Sequence, residues 1–419
     1  MIRTFVNCVV NGRETSVALE DGVIRQIGGA AAGEKIDCKG GTLLPGVIDS
    51  HVHFREPGNR EKEDFESGGR AAAKGGVTTV LDMPNTNPPT TSVDALEAKR
   101  KLAKKSVVNV GLYLGATADN LAELQKSCGA VGIKITMGST TGGLLLHDIA
   151  ALERVFRETD LPLVLHAENE ARLQTREKQF ADRQDVNVHS EIRDAETATL
   201  AVRTAIDLAE KTQHPAHLTH ISTAEEVELI RTAKRKGIPV TCDVTPHHLF
   251  LTTDDYERLG TLARVNPPLR EIADQEALWS GLRDGTIDCI ATDHAPHLLS
   301  EKQKPYREAP SGIPGVETSL PLMLNAVSGK SLALDSLIEL MSTRPAEIFR
   351  LGRKGKIEEG WDADLVLVDL EKIQEVRRED LVTKCGWSPF EGMRLTGWPV
   401  MTIIGGRIEY DSRHYGQTK

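Results

Sequence analysis

The chain has 419 residues, of which 39% are hydrophobic and 27% are charged, and its formal net charge is −10. Such a composition is that of an ordinary soluble globular protein. The acidic balance, without a marked cluster of Lys and Arg, argues against a surface for nucleic acid or for an anionic membrane. No stretch approaches the roughly 20 apolar residues of a membrane-spanning helix. We therefore expect neither nucleic acid nor membrane as a partner.

The cysteines and the N-terminal segment indicate in which cellular compartment the protein is expected. The six cysteines are scattered without a Cys-x-x-Cys pair, which is typical of free thiols in a reducing cytoplasm. They are Cys8, Cys38, Cys128, Cys242, Cys289 and Cys385. The opening MIRTFVNCVVNGRE lacks the uninterrupted apolar core of a signal peptide. The sequence therefore predicts a cytoplasmic protein.

The predicted elements begin with short runs of alternating polar and apolar residues, and strands then alternate regularly with helices. Residues 1–42 contain TFVNCVVNGRE, TSVALEDGVIRQIGG and KIDCKGG, which are β-like runs separated by turn residues. From residue 43, short β-branched runs alternate with amphipathic segments such as EDFESGGRAAAKGG and ETATLAVRTAIDLAEK. The strand candidates are TLLPGVIDSHVHF (42–54), VTTVLDMP (77–84), VNVGLYLG (108–115), AVGIKITM (130–137), LPLVLHAE (161–168), PAHLTHIS (215–222), PVTCDVTP (239–246) and DCIATDHAP (288–296).

Eight strands with intervening helices predict an α/β protein whose parallel sheet closes into a (β/α)8 TIM barrel. An open doubly wound sheet is the alternative, but no Gly-x-Gly-x-x-Gly follows a strand, so a dinucleotide-binding fold has no support. After the barrel, GKIEEGWDADLVLVDL and VMTIIGGRIEY resemble the N-terminal runs. Neither end is large enough to fold alone. We therefore predict a barrel domain at residues 43–354 and a small composite β-sandwich domain from residues 1–42 and 355–419.

Polar titratable residues stand at the C-terminal ends of several predicted strands, where barrel enzymes carry their sites. His51 and His53 share a face of the first strand, because residues i and i+2 point to the same side. Surface or packed histidines would explain that pair equally well. The ends of strands four, five, six and eight carry Lys134, His166, His220 and Asp293, respectively. Because buried Lys and Asp are rare unless paired, the whole set indicates a metal-dependent site.

Lys134 is the unusual member of this set. Ile133 and Ile135 occupy the opposite face of its strand, so Lys134 is expected to face the barrel interior, where an ammonium is costly unless it is paired or neutralised. One interpretation is a salt bridge to Asp293. The other is that CO2 carbamylates the amine and creates a carboxylate that bridges two metal ions. Imidazole and carboxylate ligands without thiolates suit Zn²⁺.

A series of motifs in chain order resembles a known family. PGVIDSHVHFREPG, MPNTNPPT, GIKITMGSTTG, LHAEN, THIST, VTPHHL, VNPPLR, ATDHAPH and GIPGVETSLPLML resemble the dihydroorotase branch of the cyclic-amidohydrolase superfamily. GKIEEGWDADLVLVD resembles the return of that superfamily into its β-sandwich domain. The resemblance covers essentially the whole chain. It implies a zinc-dependent, reversible cyclisation of N-carbamoyl-L-aspartate to L-dihydroorotate and water, a step of de novo pyrimidine (UMP) biosynthesis.

The same resemblance implies a role for each strand-end residue. His51, His53 and Asp293 would bind one of two Zn²⁺ ions, and His166 and His220 the other. Carbamylated Lys134 and a hydroxide would bridge the two ions. Asp293 would also be the catalytic general base and general acid.

The resemblance further implies which residues bind the substrate. Arg55, helped by Asn85 and His297, would bind the α-carboxylate, to which a guanidinium can donate two parallel hydrogen bonds. Asn266 and the backbone around Ser311 and Gly312 would contact the ring amides. The implied partner is therefore a small molecule, and the sequence leaves open a homodimer and an association with an aspartate transcarbamoylase.

Two alternatives remain at this point. Another cyclic amidohydrolase, such as allantoinase or dihydropyrimidinase, would use the same scaffold, but its substrate lacks the α-carboxylate and Arg55 would have nothing to pair with. A non-catalytic dihydroorotase-like partner of a transcarbamoylase belongs to a different class. Such a protein would be expected to lose metal ligands, whereas this chain keeps the whole set.

Overall fold

The computed structural model describes residues 2–30, 32–126, 129–140 and 143–413. Cys128, and Thr141 and Gly142 of the GIKITMGSTTG motif, lie outside these ranges. The cysteines within the described ranges are free and buried. Among the described helices, none is both long enough and apolar enough to span a bilayer.

The N-terminal segment forms five strands of a sheet that is separate from the barrel. They are β1 (Ile2–Val10), β2 (Arg13–Glu20), β3 (Val23–Ile27), β4 (Glu34–Asp37) and β5 (Thr42–Pro45). The tight turns that join β1 to β2 and β2 to β3 are Asn11-Gly12 and Asp21-Gly22, and both residues of each turn have positive φ. Asn-Gly and Asp-Gly pairs favour this hairpin geometry because they tolerate the left-handed region.

Eight parallel strands form the barrel, and their order in the sheet follows the chain. They are β6 (Val47–Val52), β7 (Val77–Asp82), β8 (Asn109–Gly115), β9 (Gly132–Thr136), β10 (Leu163–His166), β11 (Ala216–Leu218), β12 (Val240–Val244) and β13 (Cys289–Ile290). The ring closes just beyond β13, where Val52 forms a parallel bridge with His294 and the His53 N–H donates to the His294 carbonyl at 2.8 Å. The predicted barrel is confirmed.

Three C-terminal strands complete the separate sheet: β14 (Leu365–Glu375), β15 (Arg394–Ile404) and β16 (Arg407–Asp411). The junction between the two ends of the chain is the antiparallel pair β5–β14, in which Leu44 lies opposite Val366. A core of its own fills this sheet and includes Phe5, Val17, Ile24, Leu365 and Met401. The predicted composite of the two ends is therefore confirmed as a sheet.

The first barrel strand differs from the prediction. The candidate at 42–54 is two strands in the structure, because β5 pairs with β14 while β6 pairs with β7. The break falls at Gly46, where a Cβ atom would lie 2.1 Å from Oγ1 of Thr78. Only glycine permits this close approach of the backbone.

The helices lie on the outside of the barrel, and their apolar residues face it. Helix α4 (Ile149–Glu158), for example, buries Leu152, Val155 and Phe156, and Asp148 caps its N-terminus by accepting from the Ala151 N–H. The longer helices are α1 (Phe65–Lys74), α2 (Val93–Ala103), α4 (Ile149–Glu158), α5 (Glu170–Gln179), α7 (Ala195–Thr212), α8 (Ala224–Arg235), α11 (Ile272–Arg283) and α13 (Ser319–Ser328). The shorter ones are α3 (Leu121–Leu124), α6 (Val188–Ile192), α9 (Pro246–Phe250), α10 (Asp255–Leu259), α12 (Leu299–Lys302), α14 (Leu334–Ile338) and α15 (Arg344–Ile348). Short 3₁₀ turns span Gly260–Ala263 and Arg378–Asp380, and a π-helical turn spans Glu339–Thr343.

The chain between β14 and β15 folds back onto the barrel. Two buried carboxylates of the barrel hold it: Glu63 accepts from the Thr383 hydroxyl at 2.6 Å, and Glu317 accepts from the Val382 N–H at 2.9 Å. The indole N–H of Trp387 donates to the carbonyl of His297 at 2.8 Å. The C-terminal part of the chain thus supports the rim of the barrel on which the polar strand ends lie.

Candidate active site

A cavity opens at the C-terminal rim of the barrel. Its empty volume is about 530 Å³, counted out to its open mouth. All of the sequence-predicted site residues except His297 line it. The lining residues are His51, His53, Arg55, Asn85, Lys134, Thr136, Thr140, Leu144, His166, His220, Asn266, Asp293, Ala295, Ser311 and Gly312.

His51, His53 and Asp293 form one half of the site. Nε2 of His51 lies 3.2 Å, and Nε2 of His53 3.0 Å, from Oδ1 of Asp293. The ligand atoms of the three residues all lie within 4.8 Å of one another. Two imidazoles and a carboxylate that converge in this way can hold a metal ion.

His166 and His220 form the other half. Nδ1 of His166 lies 3.0 Å from Nε2 of His220. Nε2 of His166 contacts Oε2 of the fully buried Glu168 at 2.8 Å, so its proton is donated there and Nδ1 keeps a lone pair that points into the site. The His51 and His220 rings, whose centroids are 5.4 Å apart, bring the two halves together.

Lys134 lies between the halves and is 6% exposed. Its ammonium donates to the Thr219 hydroxyl at 3.4 Å, and within the described residues it forms no ion pair with a carboxylate. The salt bridge to Asp293 that the sequence offered as one interpretation is not formed. Burial lowers the pKa of Lys134 to about 8, although Asp293 and Asp243 raise it in part.

The residues at the rim hold strained backbone conformations. Arg55, His220 and Asp293 have φ angles of +60°, +43° and +46°. Non-glycine residues in this region cost about 1–3 kcal/mol each and persist only where the surroundings impose them. Strain of this kind commonly accompanies functional sites, because it aims side chains that regular strands could not.

A buried aspartate from a neighbouring strand clamps the backbone at each of these turns. Asp82 accepts from the Phe54 N–H at 2.7 Å, immediately before Arg55. Asp243 accepts from the His220 N–H at 2.6 Å. Asp49 accepts from the Thr292 N–H at 3.0 Å, immediately before Asp293. Charge-assisted hydrogen bonds to backbone N–H groups are strong enough to offset strain of this size.

Three imidazoles of the site favour the neutral form. Burial is the main cause that lowers the pKa of His51, His53 and His220. The Nδ1 atoms of these three rings are buried without a hydrogen-bond partner within the described residues. Neutral, partly unsatisfied imidazoles suit a metal centre, so the residues present fit a metal ion better than a purely structural cluster.

Arg55 lies beside the metal-binding group and is buried. Its Nε–H donates to the Pro296 carbonyl at 3.0 Å, and its Nη2 lies 3.1 Å from Nε2 of His297. Burial lowers the pKa of Arg55 to about 10, so the guanidinium is still charged at neutral pH. Asn85 lines the same cavity, whereas His297 contacts Arg55 but does not itself line the cavity.

Asn266, Ser311 and Gly312 also line the cavity. Oδ1 of Asn266 lies 2.9 Å from Nε2 of His189, and its amide nitrogen donates to the Thr140 hydroxyl at 3.1 Å. The Gly312 N–H donates to the Arg264 carbonyl at 2.9 Å, and the φ of Gly312 is +131°, which a side chain would disfavour. These contacts fix the positions from which ring amides could be bound.

The sequence analysis did not identify the residues that position the predicted site residues. Glu168 could have been found, because it follows His166 by two residues within the predicted strand 161–168 and would there share its face, although β10 ends at His166. His189, which holds Asn266, lies on α6 in a stretch without any motif. The aspartate clamps act across neighbouring strands, and no local pattern reveals such contacts.

Comparisons with known proteins agree with this geometry. The model of the amidohydrolase family matches residues 42–408. A dihydroorotase of Methanosarcina acetivorans is 42% identical over 94% of this chain and 88% of its own length. One of Halobacterium salinarum is 41% identical over 96% of this chain and 95% of its own length.

The solved structures point to the same family. An L-hydantoinase (dihydropyrimidinase) from Arthrobacter aurescens superposes with a TM-score of 0.94 at 33% identity, over 98% of this chain and 96% of that chain. A dihydropyrimidinase from Brevibacillus agri superposes with a TM-score of 0.91 at 27% identity, over 98% and 95%. The chain therefore belongs to the amidohydrolase family and is related over nearly its whole length to proteins named dihydroorotase.

Proposed function

We propose that this chain is a dihydroorotase, which interconverts N-carbamoyl-L-aspartate and L-dihydroorotate. The observation that carries the proposal is Arg55, a buried and charged guanidinium in the wall of the cavity beside His51, His53 and Asp293. L-Dihydroorotate joins a cyclic amide, the bond that a metal-dependent amidohydrolase acts on, to an α-carboxylate. A guanidinium recognises a carboxylate with two parallel hydrogen bonds. The names of the relatives support the same assignment.

We further propose that the metal is Zn²⁺ and that two ions are bound. His51, His53 and Asp293 would hold one ion, His166 and His220 the other, and a carbamate on Lys134 would bridge them. The nitrogen and oxygen donor set without thiolate supports zinc, and the buried, unpaired position of Lys134 supports its modification. Bound in this way, the ions supply Lewis-acid activation of the amide carbonyl and make water a nucleophile near neutral pH.

The side chains and backbone of the site then bind the substrate and transfer the proton. Arg55 and Asn85 hold the α-carboxylate, while Asn266 and the backbone of Ser311 and Gly312 hold the ring amides, so the scissile carbonyl is presented to the metal centre. In hydrolysis, Asp293 takes the proton of the attacking water and returns it to the leaving ring nitrogen. In synthesis, Asp293 takes the proton from the carbamoyl nitrogen that closes the ring and delivers it to the departing oxygen.

This activity corresponds to the ring-closing step of de novo pyrimidine biosynthesis, which we propose to take place in the cytoplasm. The partner in this proposal is the small-molecule substrate. A homodimer and an association with an aspartate transcarbamoylase stay predictions from the resemblance.

The hydantoinase neighbours define the competing candidate. A neutral ring such as dihydrouracil offers no charge to Arg55, and burying an unpaired guanidinium would cost affinity without adding specificity. Hydrolysis rates with L-dihydroorotate, dihydrouracil and allantoin, measured on the purified, zinc-loaded protein, test the proposal. We expect kcat/KM for dihydroorotate to exceed that for each neutral ring by at least about a hundredfold, the factor that corresponds to about 2.7 kcal/mol. Faster turnover of a neutral ring would contradict the assignment.

A further inference from the structure

Lys62 contacts the carboxylate-binding wall but has no part in the metal centre. Its Nζ lies 3.1 Å from Nδ1 of His297 and 2.9 Å from Oε1 of Glu301. The side chain of Lys62 is 14% exposed, and His297 is 2% exposed. A lysine that points its ammonium at a buried histidine needs an explanation, since two cations would repel each other.

The hydrogen-bonding properties of the ammonium and the imidazole explain this contact. An ammonium has three donors and no acceptor, so the nitrogen that faces it, Nδ1 of His297, must carry the lone pair. A neutral imidazole then has its proton on Nε2, which lies 3.1 Å from the Ser311 carbonyl and can donate to it. Burial, with Arg55 and Lys62 nearby, lowers the pKa of His297 well below its ordinary value, so the doubly protonated form is excluded at neutral pH.

This tautomer has a consequence for Arg55. Nη2 of Arg55 lies 3.1 Å from the same Nε2 of His297. A nitrogen that already carries a proton and is donating cannot accept from the guanidinium. Lys62 and Arg55 both present only donors to His297, so one of the two contacts must lack an acceptor, and the Ser311 carbonyl, which accepts only from a protonated Nε2, favours the lone pair on Nδ1. The Nη2–H groups of Arg55 then have no acceptor on His297 and remain available to a carboxylate in the cavity that Arg55 lines.

We propose that Lys62 is a positioning residue that fixes the tautomer of His297 and so keeps the guanidinium of Arg55 available to the substrate carboxylate. This inference rests on the proposed function, because the carboxylate is that of L-dihydroorotate. Without Lys62, the proton of His297 moves to Nδ1, which faces Oε2 of Glu301 at 3.8 Å. Nε2 then accepts from Arg55 and withdraws one donor from the substrate.

The test compares Lys62→Met with Lys62→Arg in the full-length, zinc-loaded enzyme. Methionine keeps a chain of similar length without a donor, whereas arginine has donors only and should preserve the tautomer. Lys304→Met is the matched control, because Lys304 is an exposed lysine that closely follows Glu301, the ion-pair partner of Lys62. Nitrogen NMR of histidine-labelled protein identifies the protonated nitrogen of His297, and a His297→Gln variant assigns the signal.

We expect Nε2 to be protonated in the wild type, in Lys62→Arg and in Lys304→Met, and Nδ1 to be protonated in Lys62→Met. The loss of one charge-assisted hydrogen bond should raise KM for dihydroorotate about tenfold in Lys62→Met. Its kcat should stay within about threefold. The zinc content, and the inhibition constant of dihydrouracil, which has no carboxylate, should not change.

An unchanged tautomer in Lys62→Met, or a KM within about twofold of the wild type, would overturn the inference. A purely structural role would lower stability and kcat in Lys62→Met and Lys62→Arg alike, and would leave the tautomer unchanged. If the wild type fails to turn over dihydroorotate, the proposed function is wrong. The NMR result then still decides whether Lys62 sets the tautomer, so the two failures can be distinguished.

Discussion

The two halves of the metal centre differ in the charge that they bring. His51 and His53 share a carboxylate, because Asp293 lies within 3.2 Å of both rings. Nδ1 of His166 lies 3.0 Å from Nε2 of His220, and the charge of Lys134, a cation in its unmodified form, acts on His220 and lowers its pKa further. One half therefore brings one negative charge to a divalent ion, and the other brings none that faces the site.

This difference shows what the second half requires. Glu168 is a carboxylate close to His166, but it lies on the far side of the ring, where it fixes the tautomer instead of facing the site. Burial alone would raise the pKa of Glu168, but the guanidinium of Arg193, which contacts it directly, and His166 outweigh burial and lower that pKa to about 2. A carbamate on Lys134 would supply the missing negative charge at the boundary of the two halves. The asymmetry is thus a physical reason for the proposed modification.

Replacing Lys134 by alanine should have the largest effect. Without the bridge, the His166–His220 half should lose its ion while the His51–His53–Asp293 half keeps one. We expect kcat/KM to fall by about three orders of magnitude or more, since an ion that stabilises transition-state charge contributes several kcal/mol. Metal analysis and steady-state kinetics check this. Short-chain carboxylic acids should restore part of both losses, and a Lys134→Ala enzyme that keeps two ions and its rate would rule out the bridge.

Replacing Arg55 by alanine should have a smaller effect and should leave both halves intact. Removing one partner of a desolvated charge pair costs about 2–5 kcal/mol. We therefore expect kcat/KM for dihydroorotate to fall by roughly two to three orders of magnitude, with two ions still bound. Lys in place of Arg55 should recover only part of this loss, because an ammonium cannot donate the paired hydrogen bonds. A change within about threefold, below about 1 kcal/mol, would show that Arg55 does not bind the carboxylate.

Glu168→Gln should have the smallest effect and should be confined to the second half. Glutamine can still accept from His166, but it removes the charge that orients the ring and strengthens it as a ligand. Changes of this kind typically weaken metal binding about 10–100-fold. Chelator titration of the two ions should therefore show one weakened ion and one unchanged. Glu170→Gln is the matched control, since Glu170 bonds Ser139 and contacts no site histidine. Equal weakening of both ions would contradict the separation into halves.

The barrel and the positions of the strand-end residues could be predicted because both depend on local pattern. Alternating strands and helices place every strand end at one rim, so His166, His220 and Asp293 are neighbours in space although far apart in sequence. The boundary at Gly46 could not be predicted. The apolar run from Thr42 to Ile48 carries no sign that its first part pairs with β14, a strand more than three hundred residues away.

The supporting residues could not be predicted for a related reason. Asp82 and Asp243 are ordinary strand-end or mid-strand aspartates in sequence, and their function depends on which backbone N–H group the neighbouring strand presents to them. Lys62 lies in the charged stretch NREKED, where any of several side chains could have pointed inward. Contacts of this kind depend on the tertiary geometry, which a motif does not carry.

The most direct measurement of the central claim is the carbamate itself. Purified enzyme prepared without chelator and equilibrated with ¹³C-labelled bicarbonate should show one carbamate carbon signal by NMR, together with about two Zn²⁺ per chain by metal analysis. Lys134→Ala should lack the signal. A wild-type enzyme that is fully active with a single ion and no carbamate signal would contradict this account. Catalysis would then need neither a second ion at His166 and His220 nor a negative charge on Lys134.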